Sequence, residues 1–261
     1  MASGHLFIFG LGYSALRVRA AALARGMSVA STGATGDVAF DDQGAVEAAL
    51  AGATHVLSSV PPDRVSGEDP VLARYGASLS GQRLSYLSST GVYGDTGGAW
   101  VDESAPVGTG RRSARASCDA AWLALGARVF RLPGIYGPGR SVLERIAQGT
   151  ARRIEVPGQV FSRVHVEDIA TGVIAGLDAP PGAYNFADDL PASNNAVIEE
   201  ACRLLRIDPP PLVRLEEAAL SPEARGFYAE NRRVANGRAK RLLGWRPRYP
   251  TYREGLRALI R

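Results

Sequence analysis

The stretch Ser88-Ser89-Thr90-Gly91-Val92-Tyr93-Gly94 joins three consecutive hydroxyl side chains to a tyrosine that a glycine follows. An apolar run, predicted as a strand, comes directly before it, so these polar groups stand where a strand ends. Hydroxyl groups can orient a polarised substrate oxygen, and a phenol can exchange a proton with it when a nearby cation lowers its pKa. The stretch therefore has the composition of half a catalytic site, and the rest of the chain must supply the other half.

A second chemical signal is the glycine pattern GxGxxA at Gly10, Gly12, Tyr13, Ser14 and Ala15, which follows a predicted strand and opens a predicted helix. The first glycine permits a tight turn, the second lets the backbone approach a diphosphate, and the alanine allows close packing of the helix on the strand. Free N–H groups at the helix start favour an anion. We predict a dinucleotide site here; the alternative is a glycine-rich turn without a ligand.

The end of the second predicted strand bears on the choice between NAD and NADP. An acid there holds the ribose 2′-hydroxyl of NAD, whereas an arginine accommodates the 2′-phosphate of NADP. The sequence has Ser31 and Thr32 at this point, with its first acid only at Asp37. The cofactor form stays open, and Ser31, Thr32, Ser58, Ser59 and Ser88 are candidate cofactor contacts.

The first two thirds of the chain alternate short apolar runs with helical patterns, which predicts βαβ units and a parallel sheet. The predicted strands are residues 5–9, 27–31, 37–40, 54–59, 83–89 and 127–132. Helices are predicted over 14–26 and 43–52. Because parallel crossovers are right-handed, the fold class is α/β, a Rossmann-type doubly wound parallel sheet.

The pattern changes after about residue 133, where glycine and proline cluster in 132–140. Helices over 141–149 and 166–180 and a hairpin around 157–159 are predicted there. We expect residues 1–133 to form the dinucleotide-binding core, to which elements within 160–186 return. Residues 134–261 are expected to form mainly a small C-terminal α/β substrate lobe that does not fold independently.

Composition excludes several classes of protein. The 261 residues carry a net charge of +4 that is spread along the chain, without an arginine block interleaved with aromatics, so we expect no nucleic-acid binding. No apolar run is long enough for a membrane span. Two cysteines and three scattered histidines predict neither disulfides nor a metal site, and suit a cytoplasmic protein. The 30 basic residues include a single lysine, Lys240.

Five stretches together make the chain resemble the extended short-chain dehydrogenase/reductase superfamily, the NAD-dependent epimerase/dehydratase group, in an atypical form. They are GLGYSA (10–15), YLSSTGVYGDTGGAWVDESAP (86–106), RLPGIYGPGR (131–140), RVHVEDIA (163–170) and RLLGWRPRYPTYREGL (241–256). The resemblance implies an NAD(P) cofactor and a substrate such as a nucleotide sugar or a similar polar metabolite. It also implies that Pro133 and Gly134 bring backbone toward the nicotinamide.

The same resemblance implies a Ser/Thr–Tyr–Lys active site, with the lysine four residues after the tyrosine. Ser89 takes the serine position, but residues 110–122 contain neither a tyrosine nor a lysine, and no YxxxK occurs in the chain. Arg112 or Arg115 would stand near the missing lysine and supply fixed charge, although a guanidinium is a poor proton donor. Tyr93 and Tyr136 are the remaining acid/base candidates, and both are also candidates for packing roles.

Other residues have a functional and a structural interpretation. Arg140, Arg232 and Arg238, together with Arg233, are candidate bidentate ligands of a substrate phosphate or carboxylate, or parts of a solvated basic face. His165 and Asp168 suit hydrogen bonding and helix capping better than catalysis. Asp102 and Glu103 either cover the substrate or cap the next segment. Cys118 is expected to be buried and inert.

We therefore predict an NAD(P)-binding oxidoreductase or epimerase-like enzyme with a non-standard active site. The alternative is a cofactor-binding sensor without turnover, and a scaffold with a vestigial cleft is a third interpretation. A homodimer through residues 69–80 and 111–125 is a further, weaker expectation that rests on the superfamily resemblance.

Overall fold

Twelve strands and ten helices make up the computed structural model within residues 4–260, the part of the chain that it describes. The strands are β1 His5–Phe9, β2 Ser28–Ser31, β3 His55–Ser58, β4 Arg83–Ser89, β5 Trp100–Val101, β6 Arg128–Leu132, β7 Gly134–Tyr136, β8 Arg153–Glu155, β9 Arg163–His165, β10 Gly182–Asn185, β11 Leu212–Arg214 and β12 Arg233–Val234. The helices are α1 Tyr13–Ala24, α2 Gln43–Gly52, α3 Pro70–Tyr75, α4 Ser113–Ala124, α5 Val142–Ala147, α6 Val166–Gly176, α7 Asn194–Leu205, α8 Pro222–Phe227, α9 Gly237–Leu243 and α10 Tyr252–Ile260. Short 3₁₀ turns cover Gly76–Ser78 and Thr90–Tyr93.

Six parallel strands form the central sheet in the order β10-β6-β4-β3-β1-β2, which confirms the predicted doubly wound fold. The chain runs from β1 outward to β2 and then crosses back to β3 on the other side of β1. Ligands of such sheets bind at this switch point, outside the carboxyl ends of the strands. The sheet order therefore predicts a ligand site at the loops after β1 and β3.

Alternation along the strands divides the core between the two faces of the sheet. Leu6 and Ile8 of β1 pack with α1 and α6, whereas Phe7 and Phe9 pack with α2, α3 and α4. All four side chains are fully buried. Because both faces are covered, β1 reads as a continuous apolar run, as expected for a buried parallel strand.

The predicted strand over 37–40 is wrong. Only Val38 makes a β contact, an isolated bridge to Thr32. The N–H groups of Asp37 and Val38 both donate to the Ser31 carbonyl, at 2.8 and 3.1 Å, so the chain turns back on the end of β2. Gly33, at φ +129°, and Gly36, where a Cβ would lie 2.6 Å from the Ser31 carbonyl oxygen, permit this turn.

The predicted hairpin around residues 157–159 is also wrong. The Gln159 N–H closes a turn on the Val156 carbonyl, but the chain then leaves, and Phe161 bridges Ala192 instead. β8 pairs in parallel with β11. The local residues determine the turn at residues 156–159, but the strand that pairs with β8 is β11, which is distant in sequence.

The second part of the chain has its own apolar cluster, in which Tyr136 and Val142 pack with α7 and α10. Two short parallel ladders, β5 with β12 and β7 with β9, join it to the loops that follow β4 and β6. β10 returns to the central sheet, and α6 packs beside α1. The division of the chain at residue 133 stays a prediction. No helix within residues 4–260 is both long and apolar enough to cross a membrane.

Candidate active site

A cavity of about 730 Å³ opens at the carboxyl end of the central sheet, between the sheet and the second lobe. Its lining combines the start of α1, the ends of β4 and β6, the start of α4 and loops near β9 and β12. The sequence-predicted residues among those that line it are Gly12, Tyr13, Ser14, Ala15, Ser59, Ser88, Ser89, Arg112, Arg115, Pro133, Gly134, Arg140 and Arg232. The fold thus brings candidates from distant parts of the chain to one space.

The two glycines of the first turn have different roles. Gly10 adopts φ +81°, and a Cβ there would lie 2.9 Å from a Val60 methyl, so the turn itself requires glycine. Its N–H donates to the Thr32 hydroxyl at 3.0 Å, and the Ser59 hydroxyl donates to its carbonyl. A Cβ on Gly12, in contrast, would meet nothing within 4 Å. The fold leaves this position open toward the cavity, as a close-approaching diphosphate requires.

The start of α1 is also free of an internal cap. Within residues 4–260, no side chain accepts a hydrogen bond from its first-turn N–H groups. These groups therefore keep their capacity to bind an anion beside Gly12. Tyr13 is held nearby because its hydroxyl donates to the Pro138 carbonyl at 3.1 Å.

A carboxylate does stand at the end of β2, although it comes late in the sequence. The Ser31 hydroxyl donates to Asp37 at 3.0 Å, and the Arg19 guanidinium of α1 does so at 3.1 Å. The turn through Gly33 and Gly36 brings Asp37 back to this point. The two glycines are the sequence signal for this turn, but the prediction did not use them and placed Asp37 in a strand. Ser31 and Thr32 are buried, and Ser58, also buried, has no hydrogen-bond partner for its hydroxyl within the described residues.

Ser89 and Arg112 lie side by side at the end of β4. The Ser89 oxygen caps the 3₁₀ turn by accepting the Gly91 N–H at 3.1 Å, which leaves its own O–H free to donate. A Cβ on Gly91 would lie 2.4 Å from Cδ of Arg112 and 3.3 Å from the Ser89 oxygen, so the arginine crosses the turn directly beside the serine. Burial and the charges of Arg115 and Arg111 lower the pKa of the Arg112 guanidinium.

Arg115, one of the two arginines expected near the position of the missing lysine, forms hydrogen bonds with strand β4. Its guanidinium donates to the Tyr86 hydroxyl at 2.6 Å and to the Leu87 carbonyl at 3.4 Å. It still borders the cavity, beside the end of β4. These bonds fix its charge in place behind Ser89.

A buried network lies beneath Ser88. Its hydroxyl donates to Asp119 of α4 at 2.6 Å, and Asp119 also accepts two hydrogen bonds from Arg131 of β6, at 2.7 and 3.0 Å. Arg131 donates in turn to the Tyr93 hydroxyl at 2.9 Å, which itself donates to Asn185 at 2.8 Å. Tyr93 is 2% exposed and absent from the cavity lining, and burial raises its pKa. The geometry gives it a hydrogen-bonding role beneath the site.

The cavity has no phenol–lysine pair. Lys240 lies outside it, paired with Asp189. The titratable groups other than arginine in its lining are Tyr13, Tyr228 and Glu230, and burial raises the pKa of both tyrosines. Against the opposing effect of burial, the Arg111 N–H and the Arg232 guanidinium hold the pKa of Glu230 below its usual value.

The other candidates serve the fold. Arg238 lies over the Tyr184 ring outside the cavity, and Glu103 accepts the Asn185 N–H at 2.7 Å. The exposed carboxylate of Asp102 accepts the Ser104 N–H at 2.9 Å. The structure buries three further candidates from the sequence analysis, Tyr136, His165 and Cys118.

His165 and Asp168 are placed at the start of α6. The His165 ring accepts the Glu167 N–H as the N-cap, and burial lowers its pKa to about 4, so the ring is neutral. Asp168 accepts the N–H groups of Arg248 and Tyr249, at 2.6 and 3.1 Å. It thus ties the segment before α10 to α6. No group of three or more potential metal ligands occurs in the described part of the chain.

Several lining residues had no sequence signal. Three of them are arginines: Arg145 lies in α5, Arg152 lies in the loop before β8, and Arg163 lies in β9. Two are aromatic residues at the end of α8 and directly after it, Phe227 and Tyr228. Nothing in their local spacing distinguishes them from surface residues. Only the long-range packing of the second lobe brings them to the cavity.

Comparison with known proteins concerns the family and the fold of the chain. No family model matches the chain. A functionally unknown conserved protein from Silicibacter pomeroyi is 44% identical, with a TM-score of 0.86 over 98% of both chains. The two proteins belong to one family. The fold of this chain is that of the NAD-dependent epimerases and dehydratases.

Two solved structures illustrate the epimerase/dehydratase fold. A dTDP-glucose 4,6-dehydratase from Bacillus anthracis in complex with NAD is 16% identical, with a TM-score of 0.76 over 98% of this chain and 95% of that one. A human epimerase family protein with NADPH is 14% identical, with a TM-score of 0.73 over 97% of this chain and 98% of that one. Both cofactor forms thus occur on this fold.

A curated relative adds a reductase to the comparison. The 3-diazoavenalumate denitrifying reductase of a Streptomyces species is 31% identical over 140 residues, 49% of this chain. The matched part spans 45% of that reductase, less than half of its length.

Proposed function

We propose that this protein binds NAD or NADP at the carboxyl end of its sheet and acts as an oxidoreductase or epimerase-like enzyme on a polar metabolite. The observation that carries the proposal is the open backbone at Gly12, which lies in the same cavity as Ser89. Support comes from the epimerase/dehydratase fold, whose members include proteins solved with NAD and with NADPH.

The residues present fit the cofactor. The uncapped start of α1 and Gly12 would hold its diphosphate, and Asp37 with Ser31 would meet the adenosine ribose. Ser59, Pro133 and Gly134 line the path from that turn toward Ser89. When bound there, the nicotinamide would supply or accept a hydride.

The protein's own groups would act on the substrate oxygen. The free O–H of Ser89 donates a hydrogen bond to it, and the Arg112 guanidinium stabilises negative charge that develops on it. Although burial lowers its pKa, the guanidinium is a strong base, so Arg112 holds charge and does not donate the proton. The proton would come from solvent through the open cavity.

The substrate class is a nucleotide sugar or a similar polar metabolite, as the dTDP-glucose dehydratase of the same fold suggests. A reductase reaction suits this site better than a full epimerase cycle, because epimerisation needs a base and hydride return on both faces. The free, buried cysteines Cys118 and Cys202 suit a reducing compartment, and we propose the cytoplasm. Formation of a homodimer stays a prediction.

A non-catalytic cofactor sensor is the second candidate. The observation in its favour is the absence of tyrosine and lysine from α4, in which Arg115 is the one cation. A sensor needs only the glycine turn and the strand-end contacts. It would respond to cofactor by a change in surface or assembly.

Calorimetric titration with NADH and NADPH tests the cofactor site. Gly12→Asp places a carboxylate where the diphosphate would lie, without a clash in the fold. Gly44→Asp is the matched control, because Gly44 lies in the first turn of α2 and is not among the residues that line the cavity. We expect micromolar binding that Gly12→Asp abolishes and Gly44→Asp retains. Failure of the wild-type protein to bind either form would overturn both the enzyme and the sensor.

A second experiment separates these two functions. Ser89→Ala and Arg112→Gln should keep cofactor binding and lose cofactor oxidation in a screen of polar carbonyl substrates. Cofactor binding without turnover on any of them, accompanied by a change in oligomeric state, would instead identify a sensor.

A further inference from the structure

The cavity carries a large excess of positive charge. Eight arginines line it, against one carboxylate, that of Glu230, among the described lining residues. The arginines are Arg111, Arg112, Arg115, Arg140, Arg145, Arg152, Arg163 and Arg232. Since the whole chain has a net charge of only +4, this space concentrates positive charge far beyond the average surface.

Four of these arginines, here called the near group, come from the first turn of α4 and the segment that leads into it, which includes Arg112 beside Ser89, and from the residue before β12: Arg111, Arg112, Arg115 and Arg232. Glu230 is shared by Arg111 and Arg232, at 3.4 and 3.0 Å. Arg112 has neither an ion pair nor a side-chain hydrogen bond within residues 4–260, and lies 5.7 Å above the Phe227 ring. The near group therefore holds one carboxylate for four guanidinium groups.

The other four form a far group on the second lobe: Arg140, Arg145, Arg152 and Arg163. No member forms an ion pair within the described residues. Arg163 donates to the carbonyls of Phe161 and Ala192, both at 2.8 Å, and burial lowers its pKa to about 10. Backbone carbonyls orient Arg152 and Arg163, and Arg140 lies over the Tyr13 ring. The buried carboxylate of Asp188 interacts electrostatically with Arg163 without forming an ion pair with it.

The two groups differ in their place in the fold. The near group comes from the start of α4 and the residue before β12. The far group comes from the loop after β7, from α5, from the loop before β8 and from β9. Apolar and aromatic lining, including Ile154, Phe161 and Tyr228, shares the cavity with them. A ligand diphosphate at Gly12 would lie at the start of α1, which carries none of the eight arginines, although Arg140 of the far group lies 5.6 Å from the Tyr13 ring there.

We propose that the substrate is an organic dianion whose two anionic groups, carboxylate or phosphate, are separated by an apolar stretch. The near group would hold one anion beside Ser89, and the far group would hold the other. Guanidinium groups match both carboxylate and phosphate in bidentate fashion. This inference rests on the proposed function, which places the reacting end of the substrate beside Ser89. It narrows the proposed substrate class from polar metabolites to dianions.

The test uses linear dicarboxylates from malonate to suberate, with monocarboxylates of equal chain length as controls. Binding is measured by calorimetry to the full chain at low salt. We expect an optimum chain length at which the dicarboxylate binds at least tenfold more tightly than its monocarboxylate. Arg112→Gln and Arg145→Gln should each remove that advantage, whereas Arg64→Gln, an exposed arginine outside the cavity, should keep it.

A phosphonocarboxylate series of the same lengths distinguishes the two anion chemistries, because a phosphate-selective end raises its affinity above that of the dicarboxylates. Equal affinity of dicarboxylates and monocarboxylates would overturn the proposal. So would cavity variants that behave as Arg64→Gln does. Thermal unfolding of each variant shows whether a loss of binding reflects loss of the fold.

Gly12→Asp separates this inference from the proposed function. Dicarboxylate binding that survives Gly12→Asp while NADH binding is lost supports a separate anion site. Dicarboxylate binding lost with NADH binding would mean that the anions occupy the glycine turn, and would overturn the inference alone. Dicarboxylate binding by a protein that never binds NADH or NADPH would overturn the proposed function and leave the dianion site standing.

Discussion

Replacing Asp119 by alanine tests whether the buried network beneath the active site supports the whole sheet. Asp119 is fully buried, and the Arg131 side chain is 3% exposed. Breaking a buried ion pair by removing one partner typically costs about 3–5 kcal/mol, because the other charge stays unpaired. The Ser88 hydroxyl also loses its acceptor, which adds about 1 kcal/mol or more. We expect Asp119→Ala to lower the free energy of unfolding by roughly 4–6 kcal/mol.

Thermal and urea unfolding followed by circular dichroism measure this loss. For a chain of this size about 1 kcal/mol corresponds to a shift of 2–4 °C, so Tm should fall by at least roughly 8 °C. The double variant Asp119→Leu with Arg131→Met replaces the pair by apolar groups and should recover at least half of the loss. A loss below about 1 kcal/mol, or a double variant no more stable than Asp119→Ala, would refute the view that an unpaired Arg131 is the cause.

Three further predictions follow from single side chains. Gly176→Ala should destabilise the protein although alanine favours helices, because the Cβ would lie 2.6 Å from the fully buried Phe130 ring; urea unfolding measures this, and a stabilised variant would contradict it. Burial raises the pKa of Asp188 to about 7, so folding takes up a proton and the free energy of unfolding falls as pH rises from about 4 to 7. Asp188→Asn should remove that part of the pH dependence of stability. A difference in unfolding free energy between variant and wild type that stays constant across this pH range would contradict the prediction. Asp37→Ser should raise affinity for NADPH relative to NADH by roughly tenfold in calorimetry, because one negative charge near the 2′-phosphate is removed, and an unchanged ratio would place the ribose elsewhere.

Local sequence patterns singled out residues that line the cavity. The pattern from Gly10 to Ala15 combines a positive-φ turn, an open approach and a helix start within six residues, so neighbouring residues determine it. The run of hydroxyls at a strand end is also a local signal, and the superfamily resemblance then singled out Ser89 within it. The doubly wound sheet followed from alternating apolar runs and the handedness of parallel crossovers.

The rest depended on contacts between distant residues. Asp37 was assigned to a strand, because the apolar residues after it outweighed the turn that Gly33 and Gly36 permit. The hairpin at residues 157–159 failed because β11, more than fifty residues away, provides the partner for β8. Arg145 and Arg163 had no signal, since an arginine in a cavity and one on a surface have the same neighbours in sequence.

The pairing of Lys240 with Asp189, away from the cavity, has a consequence for chemical modification. Reagents that acylate side-chain amines find one target in the 261 residues, and it is not among the cavity lining. A fluorophore coupled to the Lys240 side chain would therefore leave every arginine of the cavity lining unmodified. By the same logic, lysine acetylation cannot neutralise the cavity, whose positive charge is built entirely from arginine.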